Sequence, residues 1–211
     1  DRIWEVSYMN VQHPDIKIRY IRTKNKTRKL VTYSSDDCEL RVRHKRINDF
    51  IEARFIPSIF SKGYVKNRSI YHNALAHLYN DYFIMLDIKD FFPHICHKQL
   101  ADKLFYEMNL LSREQISMKE CKNVIELCSV SSRGLPLGFI TSPLLSNVYM
   151  KEFDGIFFGQ LKKLGLENPI YTRYVDDITV SFKYSNRIPP IEVENQVVDL
   201  AQSLLSKYGL Q

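Results

Sequence analysis

The sequence predicts a mixed α/β domain with a smaller, basic hairpin-and-helix lobe at its N-terminus. Three observations carry that expectation. "YFIMLDIKDFF" (82–92) is a continuous apolar run that ends in acids; "PIYTRY" and "ITVSF" are β-prone runs joined by Val175, Asp176 and Asp177; and the stretches around them repeat apolar residues at helical spacing.

Taken in order, Ile16–Ile21 and Lys29–Tyr33 read as the strands of a hairpin, with Lys24, Lys26 and Arg28 near its tip. Leu40, Ile47 and Ile51 then recur at near-helical spacing among Arg41, Arg43, Lys45 and Arg46, which predicts an amphipathic helix with a basic side. The apolar run from Tyr82 predicts a strand buried on both faces. Ser112 with Gln115 predicts a capping box ahead of a helix whose inner face holds Cys121, Val124, Ile125 and Cys128. Ser142 and Pro143 read as the N-cap and first-turn proline of a helix reaching about Lys163, with Leu145, Val148 and Phe157 inward. A last helix is expected from about Ile191 to Tyr208, with Val197, Ala201, Leu204 and Tyr208 on one face and Gly209 at its C-terminal end.

Composition narrows the function classes. Residues 1–70 carry 16 Lys and Arg against 8 Asp and Glu, a balance of +8, while residues 71–211 carry 14 against 16, a balance of −2. A basic lobe suits a polyanion partner, and equally a solvated surface. Cys38, Cys96, Cys121 and Cys128 show no C-x-x-C spacing, so neither a zinc site nor a disulfide framework is indicated; thiols in a reducing, cytoplasmic compartment are expected. No apolar stretch reaches membrane-span length and the first residues carry no signal pattern, so neither a membrane partner nor secretion is expected.

Asp176 and Asp177 sit side by side in an oily run, where both meet a desolvation cost and their mutual repulsion. A divalent cation relieves both, and hard oxygen ligands of this kind suit Mg²⁺. Asp87, at the end of its strand, is the natural third acid. Such a cluster suits two ions roughly 3.5–4 Å apart, one activating an attacking hydroxyl and one stabilising the leaving oxygen of an in-line phosphoryl displacement. Taken alone, an Asp-Asp pair is more often a solvated turn. The company it keeps changes that weighting.

"YVDD" (174–177) resembles the signature palm turn of the reverse transcriptases, "FIMLDIKDFF" (83–92) their first catalytic strand, "GLPLGFITSPLLSN" (134–147) their nucleotide-pocket segment and "TRKLVTYS" (27–34) their fingers hairpin. The motifs stand in the family's order and cover residues from about 16 to 208. "GYVKNRSIYHNALAH" (63–77), with its Asn73-Ala74-x-x-His77 pattern, is similar to the bacterial retron branch; group II intron and phage-defence enzymes share the other motifs.

The resemblance implies a right-hand polymerase palm, an antiparallel sheet packed on helices, with a fingers hairpin and helices and no thumb. Residues 1–80 would be the basic, fingers-like region and 81–211 the palm, with a fingers segment around 112–135 interleaved. It implies RNA-directed DNA polymerase activity with dNTPs as substrates and two Mg²⁺ ions, Mn²⁺ substituting. A structured RNA would serve as template and priming source, with an effector protein, in bacterial anti-phage defence. Asp87 and Asp176 would bridge the ions, with Asp177 a weaker ligand and the Ile88 carbonyl a backbone ligand. Phe92 would block a 2′-hydroxyl. Arg28, with Lys24 or Lys26, would clamp the triphosphate; Leu137 would stand at the incoming nucleotide's sugar, Gly138 would allow close approach to the incoming base pair, Ser142 and Pro143 would start the helix beneath the template, and Tyr174 would pack near the primer end. Asn73 and His77, spaced i, i+4, share a helix face with helix packing as an equal reading.

Two departures stand out. Most relatives have Gln in "LPQG" where Leu137 stands here, and a small residue where Phe139 adds bulk, so altered nucleotide selection is expected. The chain ends at Gln211, before the basic motif and thumb of the family, so a fingers-plus-palm piece of a longer protein is expected. The alternative readings are a group II intron-like or other defence-associated reverse transcriptase, and a polymerase-like RNA-binding subunit.

Overall fold

A computed structural model describes residues 13–22, 27–184 and 190–211. In chain order the elements are β1 (Ile16–Arg22), β2 (Thr27–Tyr33), α1 (Glu39–Glu52), α2 (Ile70–Ala76), β3 (Tyr82–Asp87), α3 (Phe91–His94), α4 (His97–Leu110), α5 (Met118–Leu127), α6 (Ser142–Leu161), β4 (Glu167–Tyr174), β5 (Asp177–Lys183) and α7 (Pro190–Lys207). They fall into two compact units that interleave along the chain, residues 1–56 with 92–149, and residues 57–91 with 150–211.

In the first unit, β1 and β2 pair antiparallel from Ile16 opposite Tyr33 to Arg22 opposite Thr27. The expected hairpin therefore forms. α1 buries Leu40, His44, Ile47 and Ile51, a 4-3-4 spacing that keeps one stripe inward and leaves Lys45 and Arg46 exposed. Val31, Tyr33, Cys38, Leu40 and Phe139 close a small core beneath the hairpin.

The cap of α5 corrects the sequence expectation. Ser117 and Glu120 form the capping box, with the Glu120 N–H donating to Ser117 Oγ and the Ser117 N–H donating to Glu120 Oε2. Ser112 instead donates to the Glu114 carbonyl, and the Gln115 amide reaches back to the Ser112 carbonyl. Asn109 fixes that turn by accepting from the Ile116 N–H at 2.8 Å. Both serines fit the S-x-x-[E/Q] pattern, and the one adjoining the apolar face of the helix is the one that caps it.

In the second unit, the sheet order is β3-β5-β4, antiparallel throughout. β3 stands at one edge of this sheet, and the expectation of burial on both faces is corrected: Ile84 on one face is buried, but on the other face Phe83 is 50% and Met85 76% exposed, so that face of β3 is left uncovered. Ile84, Ile178, Val180 and Tyr171 supply the inner face. Phe153 stacks on Phe157 at 5.4 Å, and Tyr171 and Tyr208 meet these rings edge-on. α7 buries Val197, Ala201 and Leu204 as expected, and Tyr208 is buried just past its end. It ends in a Schellman turn: Gly209 has φ +68°, its N–H donates to the Ser206 carbonyl, and the Leu210 N–H donates to the Leu205 carbonyl. No helix among the described residues is long and apolar enough to cross a membrane.

Candidate functional site

The register of the second unit's sheet decides where the acids go. Asp87 stands directly opposite Asp177, Met85 opposite Thr179 and Phe83 opposite Ser181. On the other side of β5, Tyr174 pairs with Asp177 and closes a two-residue loop, Val175 and Asp176. Residues directly opposite one another share a face, so Asp87, Asp177 and Tyr174 project from one side of the sheet. Asp87 and Asp177 are exposed, and Asp176 is half-buried in the loop, its carbonyl accepting from the buried Ile88 N–H at 3.1 Å. Asp176 thus meets β3 through its backbone, whereas Asp177 faces Asp87 across the ladder.

Like charges directly opposite on adjacent strands destabilise a sheet. Three carboxylates offering only oxygen are the donor chemistry of a hard divalent cation, which would relieve that repulsion. The backbone gathers the three acids at one sheet end, but among the described residues no set of three or more His, Cys, Asp or Glu side chains is arranged to hold a metal ion.

The loop that carries the acids is itself unusual. Val175 adopts φ +63°, a region where a β-branched residue is strained and where glycine normally serves at this hairpin position. Beneath it lies a buried ion pair that the sequence reading missed. Arg173 Nε and Nη2 donate to the Asp154 carboxylate at 2.7 and 2.9 Å, Nη1 donates to the Val175 carbonyl at 2.8 Å, and both side chains are fully buried. The Tyr171 hydroxyl also donates to Asp154, at 2.7 Å. Burial and the Asp154 charge hold that hydroxyl well above its ordinary pKa, so it remains a donor. The only signals in the sequence were an Arg inside a β-prone run and an Asp inside an oily helix.

His77 proves to be a sheet clamp. It follows α2 as its C-cap, with its ring nitrogens 2.6 Å from Ser181 Oγ and 2.7 Å from Thr172 Oγ1, so it bridges β5 and β4. Burial, with the nearby Lys62 charge, lowers its pKa and favours the neutral ring. Asn73 lies within the seven-residue α2.

The other predicted site residues belong to the first unit, apart from Lys24 and Lys26, which lie outside the described residues. Arg28 is exposed on β2 opposite Ile21. The loop 134–142 is wired to β2 and α3 by its backbone: the Val31 N–H donates to the Leu137 carbonyl at 2.8 Å, and the Leu135 N–H to the Phe92 carbonyl at 2.9 Å. Gly138 has φ +110°, and a Cβ there would lie 2.6 Å from the Val31 carbonyl oxygen, so only glycine permits this approach. Phe92 and Leu137 are half-buried. Ser142 is already helical and turns its hydroxyl to the Pro136 carbonyl at 2.7 Å instead of capping α6; Pro143 follows it in the first turn. Phe139, expected beside a nucleotide pocket, is a core ring stacked on Tyr33 at 5.2 Å.

That core holds a second missed residue, His44. Its Nε2 faces the Leu127 carbonyl at 2.9 Å, which can only accept, so Nε2 carries the proton and Nδ1 accepts from the Tyr33 hydroxyl at 2.8 Å. The Tyr33 oxygen in turn accepts from the Ile140 N–H at 3.0 Å. Burial pushes the His44 pKa down to about 4 from 6.5. The unfolded chain therefore binds a proton that the folded one refuses between those values. The stability this neutral ring supplies is complete above pH 6.5 and is lost as pH falls towards 4, up to about 3 kcal/mol. Urea unfolding from pH 7 to pH 4 should show that slope, and His44→Phe should flatten it; an unchanged slope would remove His44 as its source.

A family model described as reverse transcriptase (RNA-dependent DNA polymerase) matches residues 22–211. Among curated proteins, the chain is 38% identical over 124 residues to the retron Ec73 reverse transcriptase of Escherichia coli, covering 56% of this chain and 38% of that protein. It is 27% identical over 172 residues to the retron Ec86 reverse transcriptase of the same organism, covering 82% and 50%. It therefore spans half or less of these relatives' length. Among solved structures, telomerase from Candida albicans in complex with a fragment of telomeric RNA aligns with a TM-score of 0.52 at 15% identity, covering 92% of this chain and 41% of that one. Apo telomerase from Candida tropicalis, truncated from its C-terminal domain, aligns at 0.53 and 14%, covering 97% and 49%. At those identities the likeness concerns the fold, and the mixed fold expected from sequence agrees with it.

Proposed function

The chain belongs to the reverse transcriptase family, and from that premise we propose that it is the polymerising core of a retron-type RNA-directed DNA polymerase. A primer 3′-hydroxyl attacks the α-phosphate of a dNTP on an RNA template, and pyrophosphate leaves. The observation that supports this reading best is the placement of Asp87, Asp176 and Asp177 at one end of a three-stranded antiparallel sheet, two of them directly opposed.

Asp87, Asp176 and Asp177, with the Ile88 carbonyl, would hold two Mg²⁺, which when bound supply an activated hydroxyl and a stabilised leaving oxygen. Arg28, together with Lys24 or Lys26, binds the triphosphate through charge-assisted hydrogen bonds. Gly138 leaves room for the incoming base pair, Phe92 stands against a 2′-hydroxyl, Tyr174 lies near the primer end, and Ser142 and Pro143 open a helix beneath the template. In this reading the acid-bearing sheet is the palm and the basic hairpin belongs to the fingers. A structured RNA as template and priming source, an effector protein and a role in anti-phage defence complete the proposal.

Extension of a primed RNA template with dNTPs and Mg²⁺, by the full-length protein and its Asp176→Ala variant, tests it. Product from the wild type alone is expected, and equal product from both would overturn the assignment of the acids. Leu137, apolar where relatives place Gln, motivates a second reading as an RNA-binding subunit without turnover. Tight, Mg²⁺-insensitive RNA binding with no extension on any template would favour that reading.

A further inference from the structure

We propose that Arg173 and Asp154 are positioning residues for polymerisation: they hold the Val175–Asp176 loop in its strained conformation and so set where the acids stand. The inference rests on the function proposed above, and its geometry is local to the second unit.

The loop is held from three directions. From below, Arg173 Nη1 binds the Val175 carbonyl while the other guanidinium nitrogens are locked on Asp154. From one side, the segment 60–63 runs along the end of β4: the Arg173 N–H donates to the Phe60 carbonyl at 2.9 Å and the Lys62 N–H to the Arg173 carbonyl at 2.8 Å. Gly63 then lies so close that a Cβ would come within 2.8 Å of Val175 Cγ2 and 3.0 Å of the Val175 nitrogen. From the other side, the Ile88 N–H holds the Asp176 carbonyl.

A valine at φ +63° persists only when its surroundings over-determine it. A planar guanidinium can serve one carboxylate and one carbonyl at fixed angles, which a lysine ammonium cannot. Loosening that fork lets Val175 relax, and the peptide it shares with Asp176 rotates with it. The Asp176 carbonyl then leaves the Ile88 N–H, and Asp176 loses its place beside Asp87 and Asp177. A glycine at 175 adopts the same φ at no steric cost, so it needs the fork far less.

The test uses Arg173→Lys, which keeps a cation facing Asp154, and as a second variant Asp154→Asn, each alone and combined with Val175→Gly, in the full-length protein. Misplacement of reacting groups by about 1 Å costs on the order of 10²-fold, so each single variant should lose that much in kcat with KM for dNTP within about twofold. Residue-resolved amide exchange should show selective loss of protection at Ile88 while the ladder amides of β3 and β5 stay protected. Val175→Gly should restore both the Ile88 protection and about tenfold or more of the rate. A purely structural pair would lower protection across the whole sheet and would not be rescued by Val175→Gly; either result overturns the proposal. If the wild type extends no template, the function proposed above falls, while the exchange readout still decides whether the fork holds the loop.

Discussion

Asp154→Ala is expected to lower the free energy of unfolding by about 3–5 kcal/mol, because it leaves the fully buried Arg173 guanidinium without the carboxylate that faces it. The loss is not the worth of one hydrogen bond. Nε and Nη2 of Arg173 both point at Asp154, and the Tyr171 hydroxyl loses its acceptor in the same change. Replacing both partners with apolar residues of similar volume, Asp154→Leu with Arg173→Met, should recover most of that stability, since no charge is then stranded. Urea titration reads both variants: the midpoint should fall for Asp154→Ala with the slope unchanged, and return towards wild type in the double variant. A shift under about 1 kcal/mol for the single variant would mean that water reaches the guanidinium and screens it. The double variant should also be stable yet slow in extension, because it keeps the core and discards the fork that holds Val175.

Particular residues show what the sequence disclosed. The hairpin of β1 and β2, the inner face of α7 and the turn between β4 and β5 were legible because each is encoded locally, by alternation, by helical spacing or by turn chemistry. Asp87 was expected near the acidic turn as a third acid, whereas its register opposite Asp177 is set by the pairing of β3 with β5. What was misread depends on partners elsewhere. An unbroken apolar run describes a strand buried on both faces, yet one face of β3 is uncovered and leaves Phe83 and Met85 exposed on it. Phe139 looked like added bulk at a pocket because its neighbours in sequence are pocket residues, whereas its neighbours in space are Tyr33 and His44. His44 and the Arg173–Asp154 pair could not be matched to their partners from sequence, since those lie elsewhere along the chain: His44 binds the carbonyl of Leu127, and Arg173 reaches back into α6.

Asp87→Asn is expected to abolish extension, by on the order of 10³-fold or about 4 kcal/mol of transition-state stabilisation, and yet to make the metal-free protein slightly more stable. The second half follows from the ladder. Asp87 and Asp177 face each other on adjacent strands, both exposed, and the isosteric amide removes a like-charge pair that costs roughly 0.2–1 kcal/mol. Mg²⁺ should invert the order. A cation that binds only the folded wild type stabilises it by mass action, about 1.4 kcal/mol at ten times its dissociation constant, and an acid pair reduced to one carboxylate gains much less. Thermal unfolding with and without Mg²⁺, beside single-turnover extension, reads all three effects. A variant that is inactive but destabilised without metal would point to a structural task for Asp87, and one that is stabilised but fully active would take the carboxylate out of the chemistry. Only a group kept for its charge, at a cost to the fold that bears it, gives inactivity, metal-free stabilisation and loss of the Mg²⁺ response together.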